Sequence, residues 1–257
     1  MKLAAQLYTL REYLKTEGEI AETLGRVKAI GYDAVQVSGL GAFRYQWLKG
    51  AADALNLKIP VTHNPFDKIV NETDKLIEEH EIIDCPYIGL GYYKMENKDD
   101  CDAFLEKIIP AAEKIYKSGR KFCYHNHSGE FIKIEENKTV LDYLAENTEA
   151  EKFGFILDFY WAEKAGADAL DLIDKYGSRM QVVHFKDMKK NASSGENDMC
   201  EIFEGKIDYV KIYTALLKAG CEWAAVEQDV CDINPFDSMK LSYDNIKARG
   251  LFRGELR

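Results

Sequence analysis

The chain has 257 residues, of which 46% are apolar and 30% are charged, and its formal net charge is −10. This composition predicts a globular protein with a large core and excludes a disordered chain. The acidic balance argues against nucleic acids and anionic membrane surfaces as partners, because both attract basic protein faces.

Cysteine spacing and the N-terminus indicate the compartment. The six cysteines form neither a C-x-x-C pair nor a zinc-finger spacing, and Cys123 and Cys221 lie in or beside apolar segments as predicted core residues. The apolar run in MKLAAQLYTLREYL is too short for a signal peptide, and no apolar stretch approaches the roughly 18 residues that span a bilayer. We therefore expect a soluble, reduced, cytoplasmic protein.

Short apolar strands alternate with amphipathic helical patterns along the chain. Eight strands are predicted, at Leu3–Tyr8, Ala34–Ser38, Ile59–His63, Tyr87–Gly91, Lys121–His127, Phe153–Phe159, Gln181–Phe185 and Trp223–Gln228. Each strand-helix unit takes about 25–40 residues, the size of a βαβ repeat, and strands covered by helices pair in parallel. Eight units close most simply into an α/β fold of the (β/α)8 TIM-barrel type, as one domain over residues 1–257.

An open doubly wound sheet is the alternative fold. The chain disfavours it, because no Gly-rich phosphate loop follows the first strand. The segment Met188–Gly205 interrupts the repeat, since it is long and polar. In a barrel it would follow the seventh strand, at the end where active-site loops lie.

Polar side chains collect near the C-terminal ends of the predicted strands. They are His63, His125, His127, His184, Asp158, Asp187, Glu227 and Asp229. Charged groups in such positions are costly unless they are paired or bound to a metal. The predicted ligands of one cation are His125 or Glu130, together with Asp158, His184 and Glu227. This mixture of nitrogen and oxygen ligands suits Mn, Mg, Co or Zn.

Each of these residues also has a structural explanation. Asp158 could cap the next turn, His184 could be a hydrogen-bonded barrel histidine, and Lys186 with Asp187 could form a salt bridge at the barrel mouth. The coincidence of several such groups at one end of one fold nevertheless favours a functional site.

Aromatic residues also lie at the predicted strand ends. They are Tyr8, Tyr92, Tyr93, Tyr124, Tyr160 and Trp161. Aromatic walls with a few polar groups fit a sugar ring, and ordinary barrel packing is the alternative. The candidate substrate-binding residues are Tyr8, Trp161, His63 and His127. The alternatives are that His63 simply ends a strand before a helix with Pro65 in its first turn, and that His127 points outward or into the barrel wall.

The segments GYDAVQVSG, VTHNPF, KFCYHNHSGEF, ILDFYWAEKAGADAL, VVHFKD and WAAVEQD, in this order, resemble the xylose isomerase-like TIM barrels. That superfamily includes sugar phosphate isomerases and epimerases, ketose epimerases and inosose dehydratase. The resemblance covers nearly the whole chain. The YHNH, HFKD and VEQD segments look most like the inosose dehydratase branch.

The resemblance implies one divalent metal ion, held by Glu, Asp, His and Glu from the last four strands. Asp158, His184 and Glu227 match this pattern directly. In the fifth strand His125 stands where many relatives have Glu. Either His125 binds the metal, or Glu130 reaches in from the loop, or the protein supplies only three ligands.

The function that the resemblance implies is a metal-dependent sugar isomerase or epimerase acting on a keto-sugar or related polyol. The metal would polarise the carbonyl, and Glu227 would remove the neighbouring proton to give an enediolate. Glu130, or His125 if it is not a ligand, would return a proton, and Lys186 would donate to the enediolate oxygen. The expected partner is a small carbohydrate, and the existence of a homo-oligomer is left open.

The same barrel fold also supports three other functions. An inosose dehydratase-like lyase would expel a β-hydroxyl from the same intermediate, and a non-catalytic barrel would bind a sugar unchanged. Abasic-site endonucleases share the barrel but need more metal ligands and a DNA-binding face. Five histidines and a charge of −10 argue against the endonuclease.

Overall fold

Eight parallel strands form a closed barrel in the computed structural model, which describes residues 1–191, 195 and 197–252. The barrel strands are β1 Lys2–Gln6, β2 Ala34–Val37, β3 Lys58–Asn64, β4 Tyr87–Leu90, β5 Lys121–His125, β8 Phe153–Asp158, β9 Met180–Phe185 and β12 Trp223–Val226. They follow one another around the ring in chain order, and β12 pairs with β1 to close it. The predicted (β/α)8 barrel is therefore confirmed, and the open doubly wound sheet is excluded.

Helices connect the strands on the outside of the barrel. They are α1 Glu17–Ile30, α2 Tyr45–Ala54, α3 Phe66–Asn71, α4 Thr73–Ile82, α5 Lys98–Lys117, α6 Val140–Glu146, α7 Phe159–Lys164, α8 Ala169–Tyr176, α9 Tyr209–Ala219 and α10 Pro235–Ala248. Local sequence sets their ends. Thr16 and Glu19 form a capping box at the start of α1, and Gly220 adopts the left-handed conformation that ends α9. None of the helices in the described ranges has the length and apolarity that a membrane crossing needs.

Two hydrophobic clusters make up the core. The larger one fills the space between the strands and the surrounding helices. The smaller one takes side chains from all eight barrel strands and fills the barrel interior: Ala4, Ala34, Val61, Tyr87, Cys123, Ile156, Val182, Trp223 and Ala225. Cys123 and Cys221 are both buried, as the sequence predicts.

The long polar segment Met188–Gly205 contains most of a β-hairpin. Strand β10 (Asp187–Lys190) pairs antiparallel with β11 (Asn197–Cys200), and residues 192–194 and 196 of the segment lie outside the described residues. A smaller hairpin, β6 (Lys133–Glu135) with β7 (Lys138–Thr139), follows the fifth barrel strand. Both hairpins belong to loops that leave the C-terminal ends of barrel strands.

Candidate metal centre

The period of two along a β-strand places the site on the barrel interior. Side chains two residues apart share a face, so the residue two positions beyond an interior apolar residue also points inward. Starting from Cys123, Ile156, Val182 and Ala225 of the interior cluster, this rule leads to His125, Asp158, His184 and Glu227. These four residues, called here the ligand cluster, form the next interior layer toward the C-terminal end of the barrel.

The ligand cluster brings four potential metal-binding atoms together. All four lie within 4.8 Å of one another, and each side chain belongs to a residue that is at most 5% exposed. Oδ2 of Asp158 lies 3.6 Å from Nε2 of His125 and 3.6 Å from Nδ1 of His184. That Nδ1 atom is in turn 2.9 Å from Oε2 of Glu227. The sequence-predicted residues therefore converge, with His125 as the strand-five member.

Contacts outside the ligand cluster orient three of its side chains. Nδ1 of His125 donates to the carbonyl of Gly91 at 3.0 Å, which leaves Nε2 facing inward. Nε2 of His184 is held 2.9 Å from Oε1 of Gln36. Oδ1 of Asp158 accepts from the backbone N–H of Trp161 at 3.1 Å, so Asp158 caps α7 and still directs Oδ2 into the cluster. Such outer contacts fix the orientation of metal ligands in many proteins.

The inward atoms fit a cation. Nε2 of His125, Oδ2 of Asp158, Nδ1 of His184 and Oε2 of Glu227 are buried, and none makes a hydrogen bond of normal geometry in the described part of the chain. Buried polar atoms are normally satisfied, and each exception calls for an explanation. Two imidazole nitrogens and two carboxylate oxygens are a donor set that a divalent metal ion would satisfy.

Lys186 supplies a buried positive charge beside the ligand cluster. Its Nζ lies 3.1 Å from Oδ2 of Asp158, 2.8 Å from Oε2 of Glu227 and 2.9 Å from Oδ2 of Asp229. Burial lowers the pKa of Lys186, but the three carboxylates together hold it well above its ordinary value. Lys186 is therefore an ammonium ion, able to donate to a bound oxygen.

The charges of the ligand cluster depend on one another. Burial raises the pKa of Asp158 and of Glu227, but the neighbouring Lys186 and His184 hold both well below their usual ranges. Burial lowers the pKa of His184, but Glu227 and Asp158 raise it to about 9. Both carboxyl groups are thus ionised.

Asp187 does not form the alternative salt bridge with Lys186. Its carboxylate instead accepts four backbone N–H groups, from Met188, Phe203, Gly205 and Ile207, at 2.7–3.2 Å. Asp187 is fully buried. It therefore anchors the loop after the seventh barrel strand, while Lys186 turns toward the ligand cluster.

Glu130 lies apart from the ligand cluster. Its Oε1 accepts from the Tyr124 hydroxyl at 2.6 Å, and its Oε2 accepts from the backbone N–H of His127 at 2.7 Å. Both oxygens are therefore occupied by the strand and loop from which Glu130 comes. The alternative in which Glu130 replaces His125 would require these two bonds to break.

A cavity of about 960 Å³ opens above the ligand cluster. All four candidate substrate-binding residues, Tyr8, His63, His127 and Trp161, line it, together with Lys186 and Glu227. His127 packs against Trp161 with ring centroids 5.3 Å apart. Burial and the nearby His125 lower the pKa of His127 to about 3, so its ring is neutral.

The other aromatic residues at the strand ends divide between cavity and core. Tyr92 lines the cavity and is 60% exposed. Tyr124 and Tyr160 are buried, and Tyr93 packs against Phe66. Tyr93, Tyr124 and Tyr160 therefore belong to ordinary barrel packing, which was the alternative to a role in the cavity wall.

Two polar residues near the site were not assigned a role from the sequence. Gln36 is fully buried between His63 and His184, and Asp229 contacts Lys186 at the cavity wall. The signal for Gln36 is its place in AVQV, where an amide interrupts an apolar strand at an inward position. Asp229 follows a strand end, and burial and Glu227 raise its pKa.

Comparison with known families agrees with this geometry. The family model described as xylose isomerase-like TIM barrel matches residues 24–239. The chain belongs to this family. The resemblance predicted from the sequence is confirmed.

The curated relatives include inosose dehydratases and a rhizopine catabolism protein. The inosose dehydratase of Geobacillus thermodenitrificans is 26% identical over 156 residues, which cover 54% of this chain and 51% of that protein. The rhizopine catabolism protein MocC of Rhizobium meliloti is 25% identical over 164 residues, covering 58% of this chain and 49% of that protein. The chain thus spans about half the length of these curated relatives.

Solved structures share the whole barrel. A sugar phosphate isomerase/epimerase from Parabacteroides distasonis superposes with a TM-score of 0.82 at 22% identity, covering 98% of this chain and 96% of that one. The IolI protein, solved with a bound zinc atom, gives a TM-score of 0.76 at 13% identity over 99% of this chain and 100% of that one. At these identities the likeness shows the fold alone.

Proposed function

We propose that this chain is a divalent-metal-dependent enzyme that removes a proton beside the carbonyl of a keto-sugar or related polyol. One observation carries the proposal: four buried ligand atoms converge without a hydrogen bond of normal geometry among the described residues, and two of their residues, His125 and Glu227, line a cavity beside the buried ammonium group of Lys186. The metal-bound IolI structure and the sugar-processing relatives support it. A bound cation would supply Lewis-acid polarisation of the substrate carbonyl, which makes the adjacent C–H more acidic.

Glu227 and Lys186 are the proposed acid-base pair. Glu227 is ionised and lines the cavity, so its carboxylate can accept the substrate proton. Lys186 is charged and can donate a hydrogen bond to the developing enediolate oxygen. Desolvation of both groups strengthens these interactions, because the low local polarity increases the energy of each charge contact.

The position of the second proton donor determines whether the enediolate would be converted to an isomer or to an epimer. Glu227 and Lys186 are 2.8 Å apart and therefore approach a substrate from one side. One-sided transfer suits a shift of the carbonyl between neighbouring carbons, in which the same carboxylate returns the proton. Epimerisation needs a second donor on the opposite face, and Glu130, the carboxylate considered for that role, has both oxygens occupied. The contacts thus support isomerisation over epimerisation.

An inosose dehydratase-like lyase is the second candidate. The inosose dehydratases among the curated relatives favour it, and so does the placement of Lys186 beside Glu227. In that reaction Glu227 takes the proton from carbon, and Lys186 gives a proton to the departing β-hydroxyl, which leaves as water. Both steps use groups on the same side of the cavity.

Proton exchange in deuterium oxide tests the proposal. The protein is loaded with Mn²⁺ or Co²⁺ and incubated with a panel of keto-sugars and inososes, and NMR locates the carbon that takes up deuterium. Loss of one water from the product identifies the lyase, whereas an isomeric product identifies the isomerase. A Glu227→Gln variant should still fold but lose exchange. If no compound in the panel exchanges, the proposed proton abstraction is wrong, and binding of an unchanged sugar would indicate the non-catalytic barrel. If the Glu227→Gln variant exchanges normally, the assignment of Glu227 as the base is wrong.

A further inference from the structure

Gln36 lies between two histidines, one at the cavity wall and one in the ligand cluster. Its amide Nε2 lies 2.8 Å from Nε2 of His63, and its Oε1 lies 2.9 Å from Nε2 of His184. Gln36 is fully buried in β2. An amide has one donor end and one acceptor end, so the proton on one histidine determines the proton on the other.

The ring of His184 sets the direction of this chain of hydrogen bonds. Its Nδ1 faces the ligand cluster, 2.9 Å from Oε2 of Glu227. Nε2 lies 2.9 Å from Oε1 of Gln36, which can only accept, so Nε2 carries a hydrogen. A ring that binds a cation through Nδ1 also keeps its proton on Nε2. His184 therefore donates to Oε1 of Gln36, and the NH2 end of Gln36 must face His63.

His63 then has only one arrangement available. Its Nε2 accepts from Gln36, so the ring proton lies on Nδ1. That atom lies 3.5 Å from Ser38 Oγ, and a Cβ added at Gly91 would come within 3.0 Å of it; His63, Ser38 and Gly91 all line the cavity. Because Nε2 accepts from the amide N–H of Gln36, that nitrogen carries no proton and the ring is neutral.

We propose that Gln36 is a positioning residue that fixes His63 as a hydrogen-bond donor, with its Nδ1–H directed to the substrate cavity. The group that His63 recognises is therefore an acceptor oxygen, a carbonyl or hydroxyl of a polyhydroxylated substrate. In this tautomer Nδ1 cannot take a proton from carbon, so His63 binds the substrate and does not act as its base. The role in substrate binding depends on the proposed function, whereas the tautomer does not.

NMR of the full chain labelled with 15N-histidine tests the tautomer. Long-range 1H–15N correlation distinguishes a protonated ring nitrogen from an unprotonated one, and a His63→Gln variant identifies the His63 signals. We expect Nδ1 of His63 to be protonated and Nε2 to be unprotonated, both in metal-free protein and after loading with diamagnetic Zn²⁺. A wild-type spectrum with the proton on Nε2 overturns the proposal without need of any other variant.

Gln36→Glu is the discriminating substitution, because it keeps the shape of the side chain and removes its donor. A carboxylate only accepts, so Nε2 of His63 should become protonated. His80 is the internal control: its Nδ1 lies 2.7 Å from the Leu76 carbonyl and its Nε2 is 2.7 Å from Thr62 Oγ, away from Gln36. Unchanged signals from both His80 and His63 in this variant would contradict the proposal.

Titration of the wild-type protein with a keto-sugar that exchanges in deuterium oxide tests the substrate contact. The Nδ1–H signal of His63 should shift on binding, while the His80 signals stay in place. A bound sugar that leaves His63 unaffected would remove its role in recognition, and the tautomer result would stand separately.

Discussion

Nζ of Lys186 lies 2.8 Å from Oε2 of Glu227, and both side chains are almost completely buried. The same ammonium group lies 3.1 Å from Oδ2 of Asp158. These two oxygens are also the carboxylate ligands proposed for the metal ion. The lysine and the cation therefore compete electrostatically for the same two atoms, although both are needed in the proposed reaction.

Replacing Lys186 by Met should separate metal binding from turnover. Without the ammonium group the carboxylates attract a cation more strongly, so the affinity for Mn²⁺ should rise by about tenfold. Turnover should fall by roughly 100-fold or more, because the proton donor is lost. Calorimetric titration and steady-state kinetics measure the two effects. Lys189→Met, which removes a half-exposed lysine paired with Asp232, is the control and should change neither quantity much.

Metal binding should stabilise the protein through the ligand cluster. A ligand at 100 times its dissociation constant raises the free energy of unfolding by about 2.7 kcal/mol, which thermal unfolding detects as a higher Tm. Asp158→Asn should abolish this increase while keeping the α7 cap, because an amide oxygen can still accept from Trp161. His125→Gln should weaken the increase and Glu130→Gln should leave it intact. If the metal-induced increase in Tm were instead lost in Glu130→Gln and kept in His125→Gln, Glu130 would be the strand-five ligand.

His80 should make the protein less stable in mild acid. Burial lowers its pKa from an ordinary 6.5 to about 4, so the folded protein resists protonation at this residue. Its contribution to the free energy of unfolding is complete above pH 6.5, decreases as the pH falls from 6.5 toward 4, and levels off below that. The expected loss is about 3 kcal/mol over this window. Urea unfolding of the wild type and of His80→Gln at several pH values measures the contribution of His80. The difference between their free energies of unfolding should shrink as the pH falls.

Asp187 should control the stability of the loop after the seventh barrel strand. Asp187→Ala leaves four buried N–H groups without an acceptor, so a loss of roughly 3–5 kcal/mol is expected. Gly205→Ala should also destabilise, because a Cβ there would lie 2.2 Å from Oδ1 of Asp187. Asp232→Ala removes an exposed carboxylate from the same region and should cost less than about 1 kcal/mol. Equal losses in Asp187→Ala and Asp232→Ala would show that Asp187 is not an anchor.

The barrel could be predicted because its signal is local and repeated. Each strand shows as an apolar run, each helix as an amphipathic pattern, and eight repeats have one simple closed arrangement. The convergence of Asp158, His184 and Glu227 could be predicted for the same reason, since each follows an apolar strand. The three side chains then meet inside the barrel because the strands are parallel and because alternate residues of a strand point inward.

The side-chain direction of Glu130 could not be predicted, and for Lys186 the sequence left two alternatives. Glu130 lies five residues beyond His125, and only the folded loop shows that Tyr124 and His127 occupy its oxygens. Lys186 has Asp187 as its sequence neighbour, but adjacent residues of a strand point to opposite faces, so its partners come from other strands. Gln36 was missed because its importance comes from two histidines far away in the chain.

Asp158 divides its two oxygens between different tasks, one on the helix that carries Trp161 and one in the ligand cluster. The position of Trp161 in the cavity wall and the position of the proposed metal site therefore both depend on the carboxylate of Asp158. Because Oδ1 and Oδ2 of Asp158 are bonded to the same carbon, a movement of Trp161 would also move the oxygen in the ligand cluster. The distance between the indole of Trp161 and the proposed metal site is consequently set by one side chain.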